Sequence, residues 1–235
     1  MKLDPTIDQI KVQVSQYWDW LKRWLNPDNL ALLRPTLKFQ TGVLAAFALL
    51  ASFLLGVTNC STEDTIQQRL DEDLKSSLEE VVPSELYDND MLEDTVTIAS
   101  AEFNIAAAET LVYLAKKSGQ TTAVCFKFTA PDGYSGAINL IIGIDREGNV
   151  LGVRVLSHKE TPGLGDKIET AKSDWVTSFQ GKSLDNLTAA QWAVKKDGGV
   201  FDQFTGATIT PRKTVQATYR ALQLFKAHQA ELIDP

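Results

Sequence analysis

Two histidines and two cysteines in 235 residues leave little from which to build a zinc or iron–sulfur centre. Cys60 and Cys125 share no ligand spacing, and Cys125 stands in the alternating run "TTAVCFKF", where a cysteine serves as a small buried hydrophobe. Cys60 follows "LLGVTN", with Asn59 where a lipoprotein cleavage site needs a small residue, so lipidation is not expected. Positive charge is also scarce. The net charge is −7 and the acidic excess lies beyond residue 38, a balance that argues against nucleic acid as a partner. No Walker-type phosphate loop occurs, and no GxGxxG follows a strand, so nucleotide hydrolysis and Rossmann binding have no basis here. A hydrolase built on Ser157 or Thr208 with His158 as base lacks an orienting third group. Ser157 and His158 are also neighbours on an extended segment, which sends their side chains to opposite sides.

What the chain does have is one long apolar run. "FQTGVLAAFALLASFLLGV" spans Phe39 to Val57, with no charge between Lys38 and Glu63, which is enough for one helix to cross a hydrocarbon core of roughly 30 Å. A cleaved signal peptide would start nearer the N-terminus. Lys22, Arg23, Arg34 and Lys38 precede the run, and Glu63, Asp64, Asp71, Glu72 and Asp73 follow it. By the positive-inside rule the N-terminus is expected in the cytoplasm and the rest outside, in the periplasm of a bacterial inner membrane. Ahead of the run, Ile7, Ile10, Val14, Tyr17, Trp18, Leu21, Trp24 and Leu25 fall at helical spacing. Such a stripe could pack on a partner subunit, but its tryptophans favour an in-plane helix against membrane lipid.

Residues 63–95 carry twelve acidic groups against two basic ones. Ile66, Leu70, Leu74, Leu78 and Val81 form a helical stripe there, ending before Pro83, so an acidic linker helix and a turn are expected. The period then becomes two. "TLVYLA" and "TTAVCFKFTA" flank the turn "KKSGQ", and "AINLIIGI" and "VLGVRVL" flank "DREGN", which predicts two β-hairpins. Helices are expected over 166–179 and 211–232, the second turning Val215, Tyr219, Leu222, Phe225 and Leu232 inward, with Thr210 as its N-cap and Pro211 as its first residue. The fold class is α+β: antiparallel strands with packed helices, anchored by one N-terminal transmembrane helix. The expected domains are 1–36, a cytoplasmic amphipathic segment; 37–58, the membrane helix; 59–98, the acidic linker; and 99–235, a periplasmic domain.

Two loops exceed what packing needs. "SHKETPGLGDKI" (157–168) places Pro162, Gly163 and Gly165 so that backbone can approach a ligand closely. "AVKKDGGVFDQFTGATIT" (193–210) gathers Asp202, Thr205, Gly206, Ala207 and Thr208 just ahead of a helix, and capping explains only Thr210 and Pro211. A helix N-terminus favours an anion.

Together with "APDGYSG" and "SDWVTSF", in that order along roughly 125–225, these segments resemble the FMN-binding family of bacterial respiratory complexes. The likeness is greatest to the G-subunit branch of Rnf-type complexes, and the C subunit of the sodium-pumping NADH:quinone reductase is the next relative. In that family a flavin transferase reads an Asp-x-x-Ser/Thr-Gly-Ala-Thr signature and esterifies FMN through its phosphate onto the last threonine. The resemblance therefore implies Asp202 as the recognition residue and Thr208 as the covalent FMN acceptor. It implies Thr205, Gly206, Ala207, Thr161, Gly163, Leu164, Gly165 and Lys195 as flavin-supporting residues, and no metal. The implied function is an electron relay in a complex that couples ferredoxin–NAD electron flow to sodium or proton transport, with the other membrane subunits and the transferase as partners. A C-type subunit of the quinone reductase and a non-redox anchor or assembly subunit stay open as alternatives. The N-terminal stretch of about 35 residues is longer than the resemblance leads one to expect.

Overall fold

In the computed structural model, 37–105 and 108–233 are described, together with Gln16, Trp18, Asp19, Lys22 and Arg23, which are helical. The rest of the N-terminal amphipathic stripe lies outside the described residues. The apolar run and the acidic stripe form one uninterrupted helix, α1 (Leu37–Val81), where the sequence pattern predicts two. The physical reason is an absence of breakers, since no glycine or proline stands between Gly56 and Pro83. Within it the Thr58 and Thr62 hydroxyls donate to the carbonyls of Leu54 and Thr58, at 2.8 and 2.9 Å, which satisfies these polar groups inside the helix. Lys38–Asn59 is long and apolar enough to cross a membrane, with a mean hydropathy of 2.1 and none of it buried in the protein.

The chain divides into two units, Met1–Gln67 and Gln68–Pro235. The second is an α+β domain on a five-stranded antiparallel sheet in the order β1-β2-β3-β4-β5. The strands are β1 (Thr95–Ala99), β2 (Glu109–Lys117), β3 (Gln120–Ala130), β4 (Ile138–Asp145) and β5 (Val150–Ser157). β2 to β5 fall on the four alternating runs. β1 lies ahead of them, in "TVTIA", a further short strand whose Val96 and Ile98 turn inward while Thr95, Thr97 and Ala99 are exposed. Between β2 and β3, Ser118 and Gly119 both have positive φ, +53° and +78°. That is the twist of the two-residue turn that suits a hairpin.

Both faces of the sheet are covered, which is why β3 and β4 read as nearly continuous apolar runs. On one face Phe126, Phe128, Leu140 and Ile142 pack with Val215, Leu222 and Phe225 of α2 (Ile209–Ile233). On the other, Leu78, Val81, Val82 and Met91 cover Tyr113, Cys125 and Ile141. Gly143 and Gly152, paired across β4 and β5, let the end of α1 lie close, since a Cβ on Gly152 would sit 3.1 Å from Val81 Cα. Burial pushes the Cys125 thiol up, as suits a packing residue rather than a reactive one.

The helix expected over 166–179 is two 3-10 turns, Asp166–Ile168 and Asp174–Phe179. Ser173 breaks it. It is extended (φ −165°, ψ 150°) and its hydroxyl accepts the Trp175 N–H at 3.2 Å. Ile168, Trp175, Val176 and Phe179 are buried, so the segment packs inward as two turns without a continuous helix.

Candidate functional site

The start of α2 differs from the capping pattern expected. The Arg212 N–H donates to the Thr208 carbonyl at 3.3 Å and the helix begins at Ile209, so Thr208 occupies the N-cap and Pro211 the third helical position. Ile209 and Thr210 therefore offer the first-turn N–H groups that have no intrahelical acceptor, and Pro211 has none to offer. The Thr210 side chain does not cap. It donates to Glu160 Oε2 at 2.5 Å. Among the described residues Thr208 Oγ1 takes part in no hydrogen bond, and the side chain is half-buried.

The two unexplained loops, about forty residues apart in sequence, meet at one cavity of about 330 Å³. The first contributes Glu160, Thr161, Leu164 and Gly165. The second contributes Gly206, Ala207 and Thr208, with Ile209 and Thr210 from α2. Tyr134, 67% exposed, comes from the β3–β4 loop. The size suits a small-molecule site, and the wall mixes apolar side chains with a few polar groups.

Local geometry explains the loop shapes. Leu164 and Gly165 donate their N–H groups to the Thr161 carbonyl, each at 3.1 Å, closing a tight turn. Gly163 inside that turn has φ +77° and open space around it, so its glycine serves backbone conformation. Gly165 serves close approach: a Cβ there would lie 2.8 Å from Thr210 Oγ1 and 2.9 Å from Glu160 Oε2. Gly206 has φ +83°, and a Cβ on it would reach Leu164 Cδ2 at 3.4 Å, which is where the loops touch.

The other residues singled out from sequence stand apart from the cavity wall. Lys195 and Asp202 pair at 2.6 Å, with side chains 56% and 67% exposed. Thr205 is exposed, and like Gly163 it does not line the cavity. The Asp202 peptide is held by Trp175, whose Nε1–H donates to its carbonyl at 2.7 Å and whose indole meets Phe204 edge-on at 5.1 Å. Arg212 grips Asp197 through two hydrogen bonds, 2.6 and 2.9 Å, which keeps the Asp197 carboxyl below the usual carboxylate range.

Three residues have no part assigned by the sequence pattern: Tyr134, Glu160 and Trp175. Each lies in one of the four ordered segments, "APDGYSG", "HKETPGLGDKI" and "SDWVTSF", so the segments were a signal but the individual atoms were not.

The donor set suits a flavin mononucleotide. Free N–H groups and a free hydroxyl stand ready for a phosphate at the N-terminus of α2, and Leu164, Ala207 and Ile209 offer apolar surface to a ring system. The family described as FMN-binding domain matches residues 133–223, which include both loops and most of α2. The loops and helix that carry the cavity thus lie in an FMN-binding domain. The chain is 47% identical over 190 residues to the G subunit of the ion-translocating oxidoreductase complex of Shewanella oneidensis, an alignment covering 81% of this chain and 90% of that protein. To the proteins of the same name in Aliivibrio fischeri and Cereibacter sphaeroides it is 46% identical, covering 84% and 82% of this chain and 94% and 86% of theirs. The chain belongs to the family of G subunits of ion-translocating oxidoreductase complexes.

Proposed function

We propose that this chain is the FMN-carrying electron relay of a membrane-bound, ion-translocating oxidoreductase, with the flavin joined to Thr208 through a phosphoester. The observation that carries the reading is the position of Thr208, an unengaged hydroxyl at the N-cap of α2 on the wall of the cavity where both loops meet. A phosphodiester on Thr208 Oγ1 would place its single negative charge against the Ile209 and Thr210 N–H groups and the positive end of the helix dipole. Bound there, FMN supplies reversible electron transfer. The protein's own part would be to hold it: Leu164 and Ile209 would offer apolar surface to the ring, Thr161 and Gly165 would supply backbone on the cavity wall, and the tether would maintain a high local concentration outside the cytoplasm.

Asp202, exposed beside Thr205 and Gly206, is read by the flavin transferase. Lys195 supports flavin binding indirectly, through its pair with Asp202. Thr205 and Gly163 shape the two loops. The partners are the remaining membrane subunits of an Rnf-type complex and the surrounding lipid. The domain from about residue 99 onward lies in the periplasm, and 1–36 stays in the cytoplasm.

The first test is direct. The protein, made in cells that contain the transferase, should give an ultraviolet-fluorescent flavin band that survives denaturing electrophoresis, and a dark band rejects the covalent reading. Orientation is tested separately. In a Cys60→Ser background Ser118→Cys should react with a membrane-impermeant maleimide in intact spheroplasts and Lys11→Cys should not. The reverse pattern overturns the topology.

A further inference from the structure

Glu160 is the one carboxylate among the described residues of the cavity wall, and it is 4% exposed. Its two oxygens are both acceptors. Oε1 takes the Ser135 backbone N–H at 3.0 Å, and Oε2 takes the Thr210 hydroxyl at 2.5 Å. Its own N–H donates to His158 Nδ1 at 2.9 Å, and the other ring nitrogen of His158 lies 2.5 Å from Glu169 Oε1. One side chain thus ties the β3–β4 loop and the 157–168 loop to the first turn of α2. Two glycines clear its space, because a Cβ on Gly133 would fall 2.8 Å from Oε1 and one on Gly165 2.9 Å from Oε2. A purely structural tie could have been made with neutral groups at lower cost, since burying a carboxylate carries a desolvation penalty.

We propose that Glu160 is a positioning residue for the flavin, fixing the first turn of α2 against both loops, and that its buried charge holds the flavin's reduction potential down. Resting on the functional reading above, it has a plain physical basis. Reduction adds negative charge to the ring system, and a fixed carboxylate on a low-dielectric wall disfavours that charge far more than one in water would. The Ser135 N–H and the Thr210 hydroxyl offset part of the cost of burying it.

The test uses Glu160→Gln and Thr210→Val in the full-length, flavinylated protein. Glutamine can keep the geometry: its carbonyl accepts from Ser135 N–H, and its amide donates to Thr210 Oγ1, whose hydroxyl is free to rotate. The expected result is covalent flavin at wild-type occupancy, a melting temperature close to wild type, and a midpoint potential shifted positive. Thr210→Val keeps the carboxylate but removes one donor that offsets its charge, so its potential should shift negative. That opposite sign is the readout if Glu160→Gln fails to fold. A flavinylated wild type whose potential is matched by both variants, or moves in the same direction in both, overturns the proposal and leaves the functional reading intact. A wild type without flavin overturns both.

Discussion

The two walls of the cavity come from loops rich in glycine and threonine, and they are held in opposite ways. In the 157–168 wall Glu160, Gly165 and Asp166 are buried, and hydrogen bonds run from it to Ser135, Thr210 and Glu169. In the 202–208 wall Asp202, Gln203, Thr205 and Gly206 are exposed, and the anchors are Phe204, which is buried, and the Asp202 carbonyl on Trp175. One wall is pinned at buried points with 161–164 exposed between them, and the other is an exposed strap held at Phe204 and at the Asp202 carbonyl. Under the covalent attachment proposed above the difference suits two tasks: a wall pinned by buried hydrogen bonds can orient a ring system, whereas a strap presenting Thr208 would be accessible to another enzyme. Firm anchoring and access are physically opposed requirements, and on that proposal they fall to different loops.

The contrast is broken most completely at the strap. Thr208→Val removes the hydroxyl at nearly constant volume, so the protein should fold and insert normally yet carry no covalent flavin. Intact-protein mass checks this, and a residual addition of FMN less one water in the variant rejects Thr208 as the acceptor.

The next largest effect lies on the 157–168 wall and divides it. Gly165→Ala forces a methyl between Thr210 and Glu160, which should cost about 1–3 kcal/mol as overpacking and disturb the flavin potential along with the melting temperature. Gly163→Ala meets no neighbour and is penalised only for its left-handed backbone, about 1–2 kcal/mol, with the potential unchanged. Thermal melts and redox titrations on the same preparations separate the two. Equal potentials in both variants would mean the 157–168 wall does not touch the flavin's chemistry.

The smallest effect should come from Asp202→Ala. The Asp202 carbonyl, not its carboxylate, holds the strap to Trp175, so the melting temperature should stay within experimental scatter while flavin occupancy falls through poorer recognition by the transferase. Full occupancy would remove Asp202 from that role. Such a result would also make the strap's exposure, rather than its charge, the property that matters.

Much of this was legible in the chain itself. Strands β2 to β5 could be read because short apolar, β-branched and aromatic runs stand between turns with strong local chemistry, and turn chemistry is fixed by adjacent residues. The membrane-type run was legible for the same reason, being a property of composition over 22 consecutive residues. The ordered segments marked the site's neighbourhood. Local sequence could not separate a helix over 166–179 from two 3-10 turns, since both bury Ile168 and Phe179 and the choice depended on Ser173 turning extended. Nor could it place the N-cap of α2, because Thr208 and Thr210 are equally good caps by type. The Glu160–Thr210 contact decided between them by taking the Thr210 side chain for another purpose. The sequence alone determined which residues are apolar, which turns are tight and which family signature is present, all of them short-range properties. Tertiary structure alone decided that Glu160, Gly165, Thr208 and Tyr134 share one cavity, because packing across the sheet and α2 sets distances between residues dozens of positions apart, and no local preference encodes them.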